Sequence, residues 1–458
     1  MLLNEAYKFF AKTIAEWQCS RRPPQNMDYS IACLSVPVAS VNTLDWLIAQ
    51  PSQPKLFWAQ RGGAESFAGL GEAWQVSKQG PDAHRRALEQ IHALLEDAAP
   101  EVRFWGGCRF DALSATSREW QSWPAACFRL PRIALCETNA AWQLLAFIPR
   151  FFKADEVAAL TALHADLLDL VADIPPAMSS APISYRQRND VVEKQNWRTG
   201  VAESLNTIDK QYLRKVVLAR AVDFSLADNT SPLQLLRVLR STVPYAFHFC
   251  FQNNETSGFV GATPELLYRR RDSTITTEAL AGTIGRGKTA EEDAALAKAL
   301  QSNDKEQREH IAVLHYVEIQ LRTLCIRLQR VAFMECLTLG NVQHLRSRLS
   351  GTLRSETKDT DLLCALHHTP AVAGLPPGEA LTFIRQRENF DRGWYAGPIG
   401  WVSYTDTQFA VALRCGLLVD NTFRLYAGAG IVAGSDPWRE WHETEAKLAN
   451  WIALLQPR

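Results

Sequence analysis

The chain reads as an α+β protein in which mostly antiparallel strands carry helices grouped outside them. Two observations point there. Short apolar or alternating runs, broken by Gly, Pro or polar clusters, recur along both halves of the chain. Near the C-terminus, TQFAVALRCGLLVDNTFRLYAGAGIV reads as two long strands around an Asp420–Asn421 turn, hence an antiparallel hairpin.

In chain order, MLLNEAYKFFAKTIAEW is an amphipathic helix with mixed charges, without the unbroken apolar core and cleavage site of a signal peptide. YSIACLSVPV, KLFWAQR, SFAGLGEAWQV, VRFWGGCRF, CFRLPRIALCE and AWQLLAFIPR read as strands. AHRRALEQIHALLEDA and ADEVAALTALHADLLDLVA have helical periodicity. The Pro- and Ser-rich stretch IPPAMSSAPISYRQRND, residues 174–190, is the linker candidate. It divides an N-terminal half, 1–178, from a second half, 195–456.

The second half opens with a helix over 194–214, strand KVVLARAVDF and a helix over 231–241. Strands YAFHFCFQ, SGFVGAT, LLYRRR and TITTEAL follow, then helices at about 290–301 and 304–328. After the hairpin, SDPWREWHETEAKLANWIALL starts a last helix with Asp436 as N-cap and Pro437 at its first position.

Composition narrows the function. Lys+Arg and Asp+Glu both number 49, so the formal net charge is zero and no footprint for nucleic acid or an anionic membrane exists. No apolar run approaches a membrane span. The ten cysteines form no CxxC pair and no zinc spacing, and most lie in apolar runs, as expected of reduced thiols in the cytoplasm.

The chemistry concentrates in FVGATPELLYRRRDSTITTEALAGT, residues 259–283. Proline fixes its own φ and biases its predecessor, so Glu265 is presented at a defined bend after Thr263–Pro264. A second carboxylate, Glu278, precedes a Gly–Thr step. Upstream, Lys215 opens the apolar strand KVVLAR. A lysine and a carboxylate, each at a strand end, are plausible partners for general base and general acid work.

GTIGRGKT, residues 282–289, matches the P-loop pattern for nucleotide binding at every required position. Its context does not fit: the preceding TITTEALA alternates polar residues, whereas a P-loop follows a buried parallel strand. A Gly-rich loop leading into a helix is the better expectation.

Glu306 and Glu309, with His310, share a helix in DKEQREHIAVLH; Glu440 and Glu443 stand at the same i, i+3 spacing, with Lys447 a turn further. Such pairs are ordinarily solvated surface. Two pairs beside glycine-rich turns favour a hard cation such as Mg²⁺, which takes few carboxylates and keeps open positions. Arg414, in AVALRCG, is either a strand arginine snorkelling to an edge or a carboxylate clamp helped by Tyr395 in WYAGP. Gly428 and Gly430 permit close backbone approach to a ligand, or a bend in a strand. His344, in NVQHLRS near a strand end, taken alone is more in keeping with a satisfied structural histidine.

Taken in order, KVVLAR, GATPELL, TEALAGT, DKEQREH, VQHL, TPAVAG, FDRGWYAGPIGW, VALRCG and YAGAGIVAGSDP resemble the chorismate-utilising enzymes: the isochorismate, salicylate, anthranilate and aminodeoxychorismate synthases. The match spans about residues 195–455, with SFAGLGEA and FWGGCRF as weaker matches upstream. The resemblance implies one fold with a large, mostly antiparallel β-sandwich core shared by both halves, and chorismate as substrate. It implies Lys215 as the base that activates water and Glu265 as the acid for the departing hydroxyl. It makes Glu309 and Glu443 the Mg²⁺ ligands with Glu440 close by. Tyr395, Arg414, Gly428 and Lys447 would hold substrate carboxylates, with Thr283 and His344 near the ring.

Members that add water resemble this sequence at Lys215, and aminodeoxychorismate synthases carry a lysine where this chain has Ala281. No glutaminase-like segment is fused, so no glutaminase partner is expected. TEALAGT looks most like the menaquinone-type isochorismate synthases, isomerases that add water at C2 and lose the C4 hydroxyl. A salicylate synthase, which goes on to eliminate pyruvate, shares the whole site, and a siderophore-pathway isochorismate synthase is equally compatible. His368 and Ala373 depart from the family's usual proline and glycine, which puts that loop's geometry in question.

Overall fold

A computed structural model describes residues 1–20, 30–151, 153–175, 182–338 and 342–458. Its strands form two large sheets, of thirteen and nine strands, paired almost throughout in antiparallel fashion. Each sheet is shared between the halves of the chain. Lys55–Ala59 pairs with Phe247–Asn254 in the larger sheet, and Phe104–Cys108 pairs with Pro398–Val402 in the smaller one.

Alternation places the core. Along Lys55–Ala59, Leu56 and Trp58 join a cluster between the sheets with Trp105, Trp401 and Phe409. Phe57 and Ala59 face the other way, toward Phe10, Trp46, Leu163, Leu236 and Trp451 of helices outside the larger sheet. A strand buried on both faces has no polar side to show, which is why these runs are apolar throughout.

Many elements fall where their patterns put them. SFAGLGEAWQV and CFRLPRIALCE each divide between the sheets, as Glu65–Leu70 with Trp74–Lys78 and as Ala126–Leu130 with Ile133–Thr138, and three further exceptions follow. The proposed linker is partly a strand: Ile183–Asp190 pairs with Lys215–Leu226, and only residues 176–181 of that stretch lie outside the described part. The helix expected to run to 328 ends at Leu324, and Cys325–Thr338 follows at once as a strand paired with Val342–Leu353. Neither of these two strands is evident from pattern alone. Cys325–Thr338 is an edge strand with Ile326, Val331 and Phe333 exposed, so its residues carry no clean inside–outside alternation.

The third exception matters most for function. The first arm of the expected C-terminal hairpin is broken: Asp406–Val411 belongs to the smaller sheet and Cys415–Val419 to the larger, with residues 412–414 between them. The turn at Asp420 is present, between Cys415–Val419 and Thr422–Ile431.

Candidate active site

Two crossings between the sheets build one wall of a deep cavity. At Pro264–Glu265 the chain leaves Ser257–Thr263 of the larger sheet for Leu266–Arg271 of the smaller. Residues 412–414 make the return. The crossings lie side by side: the Val411 amide donates to the Glu265 carbonyl (3.1 Å) and the Ala262 amide to the Arg414 carbonyl (3.3 Å). Arg414 has φ +49°, a left-handed backbone seldom adopted by non-glycine residues. It is a crossing residue, neither a strand arginine nor a snorkelling one.

The cavity holds about 980 Å³ between its walls, mouth included, and Lys215, Glu265, Thr283, His344, Tyr395, Arg414, Gly428 and Lys447 all line it. Glu309 and Glu443 line it too. Glu440 is buried but stands behind this wall.

Glu265 is 5% exposed, and its carboxyl makes no hydrogen bond among the described residues. Burial raises its pKa, Lys215 and Lys447 oppose, and the Glu278 charge adds to the rise; the outcome is about 8. Near neutrality this is a protonated acid facing the cavity. Lys215, equally buried, donates to Glu309 at 2.8 Å. It opens strand Lys215–Leu226, and its side chain runs beside Gly430 of the neighbouring strand, the register partner of Val217, where a Cβ would sit 2.8 Å from Lys215 Cε. The glycine is required there by the lysine's path.

At Gly428 the carbonyl accepts from Lys447 (2.9 Å), and an added Cβ would stand 3.1 Å from the Tyr395 hydroxyl. Tyr395 stacks on Tyr426 with ring centroids 5.2 Å apart, and burial pushes its phenol up. The Arg414 guanidinium has no hydrogen bond or ion pair among the described residues, and burial depresses its pKa. A cation left without a protein partner on a cavity wall is suited to an anionic ligand.

His344 Nδ1 lies 2.9 Å from Thr283 Oγ1 and 3.3 Å from the Gly282 carbonyl. A carbonyl only accepts, so Nδ1 carries the hydrogen, while buried Nε2 has no partner. Burial, then Arg414 and Lys447, hold the pKa down at about 3, so the ring is neutral.

The acidic helices deliver their carboxylates to one place. Glu309 pairs with Lys215, Glu443 with Lys447 (2.6 Å), and Glu440 approaches Lys305 (3.7 Å). Burial raises the pKa of Glu440, and the negative charges of Glu443 and Glu309 add to it. Burial and Glu309 do the same to Glu306, whose carboxylate accepts from the Thr283 amide (3.1 Å). Burial works to raise Glu443, but Lys447, with Lys305 and Glu440, holds it low. Among the described residues no three such side chains already stand in ligating geometry. The donor set nonetheless fits a hard cation in its chemistry: all-oxygen, with carboxylates close enough to raise the pKa of Glu306 and Glu440. Glu309 and Glu443 are both on the wall but engaged with lysines, so they would have to exchange those contacts to hold Mg²⁺.

Three further residues take their places. His310 is structural, held by Ser347 Oγ (2.7 Å) and the Ala281 carbonyl (3.3 Å). Glu278 pairs with Arg61 and stands off the cavity wall. Glu306, noticed in sequence only as half of a pair, lines the cavity. The P-loop match is settled by its own amides: Gly287 N–H donates to Asp293 (2.9 Å) and Lys288 N–H to Glu292 (2.8 Å), where a phosphate would have to bind. Its leading strand, Thr274–Gly285, is antiparallel to both neighbours.

Two sheets meeting over a pocket of unpaired arginine, buried acid and lysine–glutamate pairs define an enzyme for a small polyanionic substrate. The chain belongs to the chorismate binding enzyme family, whose model matches residues 17–456. It is 32% identical to isochorismate synthase MenF of Escherichia coli, over 91% of each chain. It is 34% identical to the salicylate biosynthesis isochorismate synthase of Pseudomonas aeruginosa, over 86% of this chain and 83% of that one. The solved structure of MenF, the menaquinone-specific isochorismate synthase from E. coli, superposes with a TM-score of 0.83 at 30% identity, covering 97% of this chain and 99% of that one. The sandwich fold expected from the resemblance is the fold observed.

Proposed function

We infer that this protein is an isochorismate synthase, converting chorismate to isochorismate by adding water at C2 with loss of the C4 hydroxyl. The observation that carries this is a buried Glu265 without a hydrogen-bond partner among the described residues, facing the same cavity as Lys215, where burial raises its pKa to about 8. Water is a weak nucleophile and hydroxide a poor leaving group, so the exchange needs one base and one acid at once.

Lys215, once its ammonium has left Glu309 and given up a proton to solvent, takes a proton from the attacking water as the free amine. The O–C2 bond forms, the ring double bond shifts, and the C4–O bond breaks as Glu265 gives its proton to the departing hydroxyl. One water is consumed and one released. Arg414 and Tyr395 hold a substrate carboxylate, and Lys447 with the Gly428 backbone borders the other. His344, neutral and tied to Thr283, borders the ring. Mg²⁺, held by Glu309 and Glu443, would supply positive charge for the ring carboxylate.

Water as nucleophile makes a glutaminase partner unnecessary, and Ala281 on the cavity wall leaves no lysine there to attack the ring. Similarity to MenF supports a role in menaquinone synthesis. No helix among the described residues is long and apolar enough to cross a membrane; a cytoplasmic location accords with the ten cysteines, none in a disulfide. Chromatography of products from chorismate and Mg²⁺ tests the assignment. Isochorismate alone is expected; salicylate with pyruvate would make the protein a salicylate synthase, and unchanged chorismate would refute both.

A further inference from the structure

We propose that Arg61, from the first half of the chain, is a positioning residue for the acid: it clamps the Pro264–Glu265 crossing and covers the carboxylate that stands behind it. The inference rests on Glu265 acting as the acid in the reaction above.

Arg61 follows strand Lys55–Ala59 and is far from the catalytic residues in sequence, yet its side chain is only 9% exposed. Its guanidinium lies 5.2 Å from the Phe247 ring centre and 5.8 Å from that of Tyr245. Nη1 donates to the Pro264 carbonyl (2.5 Å) and Nη2 to Glu278 Oε1 (2.6 Å). One fork therefore joins the peptide that carries Glu265 to the carboxylate whose charge bears on it.

The remaining ties on that crossing are neutral. The Glu265 amide donates to Thr263 Oγ1 (3.3 Å), and the Val411 amide donates to the Glu265 carbonyl. Arg346 also faces Glu278, but at 3.6 Å, and Glu278 Oε2 is buried without a partner. Arg61 is thus the close counter-charge to Glu278. On the cavity side the charged groups bearing on Glu265 are Lys215 and Lys447.

Without Arg61 two things change. The crossing loses its charged anchor, so the carboxyl is less well aimed at the leaving hydroxyl, and misaim is expensive in rate rather than in binding. The bare Glu278 charge also disfavours ionisation of Glu265, so activity persists to higher pH.

The test is steady-state kinetics of Arg61→Gln and Arg61→Lys across pH, with melting temperatures measured alongside. Arg61→Gln is expected to lower kcat about tenfold or more with KM for chorismate within about twofold. The alkaline limb of kcat/KM is expected to rise by about half a pH unit or more. Arg61→Lys keeps the charge, so its limb should stay put. Adding Glu278→Gln to Arg61→Gln should return the limb while kcat remains low. Should Arg61→Gln fail to fold, Glu278→Gln alone answers: with Arg61 then unopposed, the limb should fall. An unmoved limb in folded Arg61→Gln, or in Glu278→Gln where Arg61→Gln does not fold, overturns the proposal and leaves Arg61 merely structural, whatever the melting temperature. Wild-type protein inactive on chorismate in the same assay would instead overturn the function itself.

Discussion

The sharpest consequence of the site is the pH at which the enzyme should stop working. Glu265 rises from 4.5 to about 8, burial being the main cause and Glu278 a lesser one, against Lys215 and Lys447. Ionising it in place therefore costs roughly 5 kcal/mol more than ionising an exposed carboxyl. At pH 7 about nine-tenths of the molecules carry the proton, where an ordinary glutamic acid would carry it in well under a hundredth. The sign for the acid is simple: it works only when protonated, so above about pH 8 kcat/KM should fall about tenfold per pH unit. Initial rates at limiting chorismate across this range, read by loss of chorismate, give the limb directly. Glu265→Gln should lower kcat by a factor of about 10² to 10⁴ with binding largely intact, and whatever rate remains should lose the limb. A limb near pH 5, or one that survives in Glu265→Gln, would refute the assignment of Glu265 as the acid.

The other expectations follow from named contacts. Lys215→Ala should bind chorismate yet turn it over at least about 10²-fold more slowly, checked by a binding titration beside the rate assay. Arg414→Ala removes a charged hydrogen-bond partner of the substrate carboxylate worth about 1.5–3 kcal/mol, so KM should rise by about tenfold to a hundredfold. Chelation should abolish turnover and added Mg²⁺ should restore it, while Glu309→Gln should weaken that response in a magnesium titration. Asp359 is a stability prediction: the His92 ring 3.2 Å away and hydrogen bonds from Arg270 outweigh its burial and hold it at about 2. Asp359→Ala would leave Arg270 buried and unpaired, so denaturant unfolding should show a loss of about 3–5 kcal/mol.

How far these contacts can be read from sequence varies with their chemistry. Ser257–Thr263 and Leu266–Arg271 are legible because strand-like runs flank a Thr-Pro step, and that step presents Glu265. Asp436 and Pro437 open the last helix as capping chemistry requires, with Asp436 accepting from the Trp438 and Arg439 amides. Arg414 is legible as a residue but not as a position. AVALRCGLLV is apolar on both sides of Arg414 because both sheets bury it, and that near-continuous run hides the break at which the chain changes sheets. Arg61 carries no local signal at all: its neighbours Pro264 and Glu278 lie more than two hundred residues away. The engagement of Glu309 and Glu443 with lysines is hidden for the same reason, since i, i+3 spacing says which face a pair occupies and not what meets it.

The position of the catalytic residues follows from the topology itself. Where a chain passes from one sheet to another, the ladder of backbone hydrogen bonds must end on one side and begin on the other, so the crossing residues are released from the pleat. Two such crossings, at 264–265 and 412–414, are tied amide to carbonyl, which holds the acid and the arginine in fixed register although 149 positions separate Glu265 from Arg414. Lys215 opens the strand that pairs with Thr422–Ile431, and that strand is reached directly from the second crossing through Cys415–Val419. Base, acid and clamp are therefore set by strand pairing rather than by loops, which accounts for a site made of buried side chains. The same logic bears on engineering: lengthening residues 412–414 by one would shift Arg414 against Glu265 and should remove substrate binding before it removes the fold.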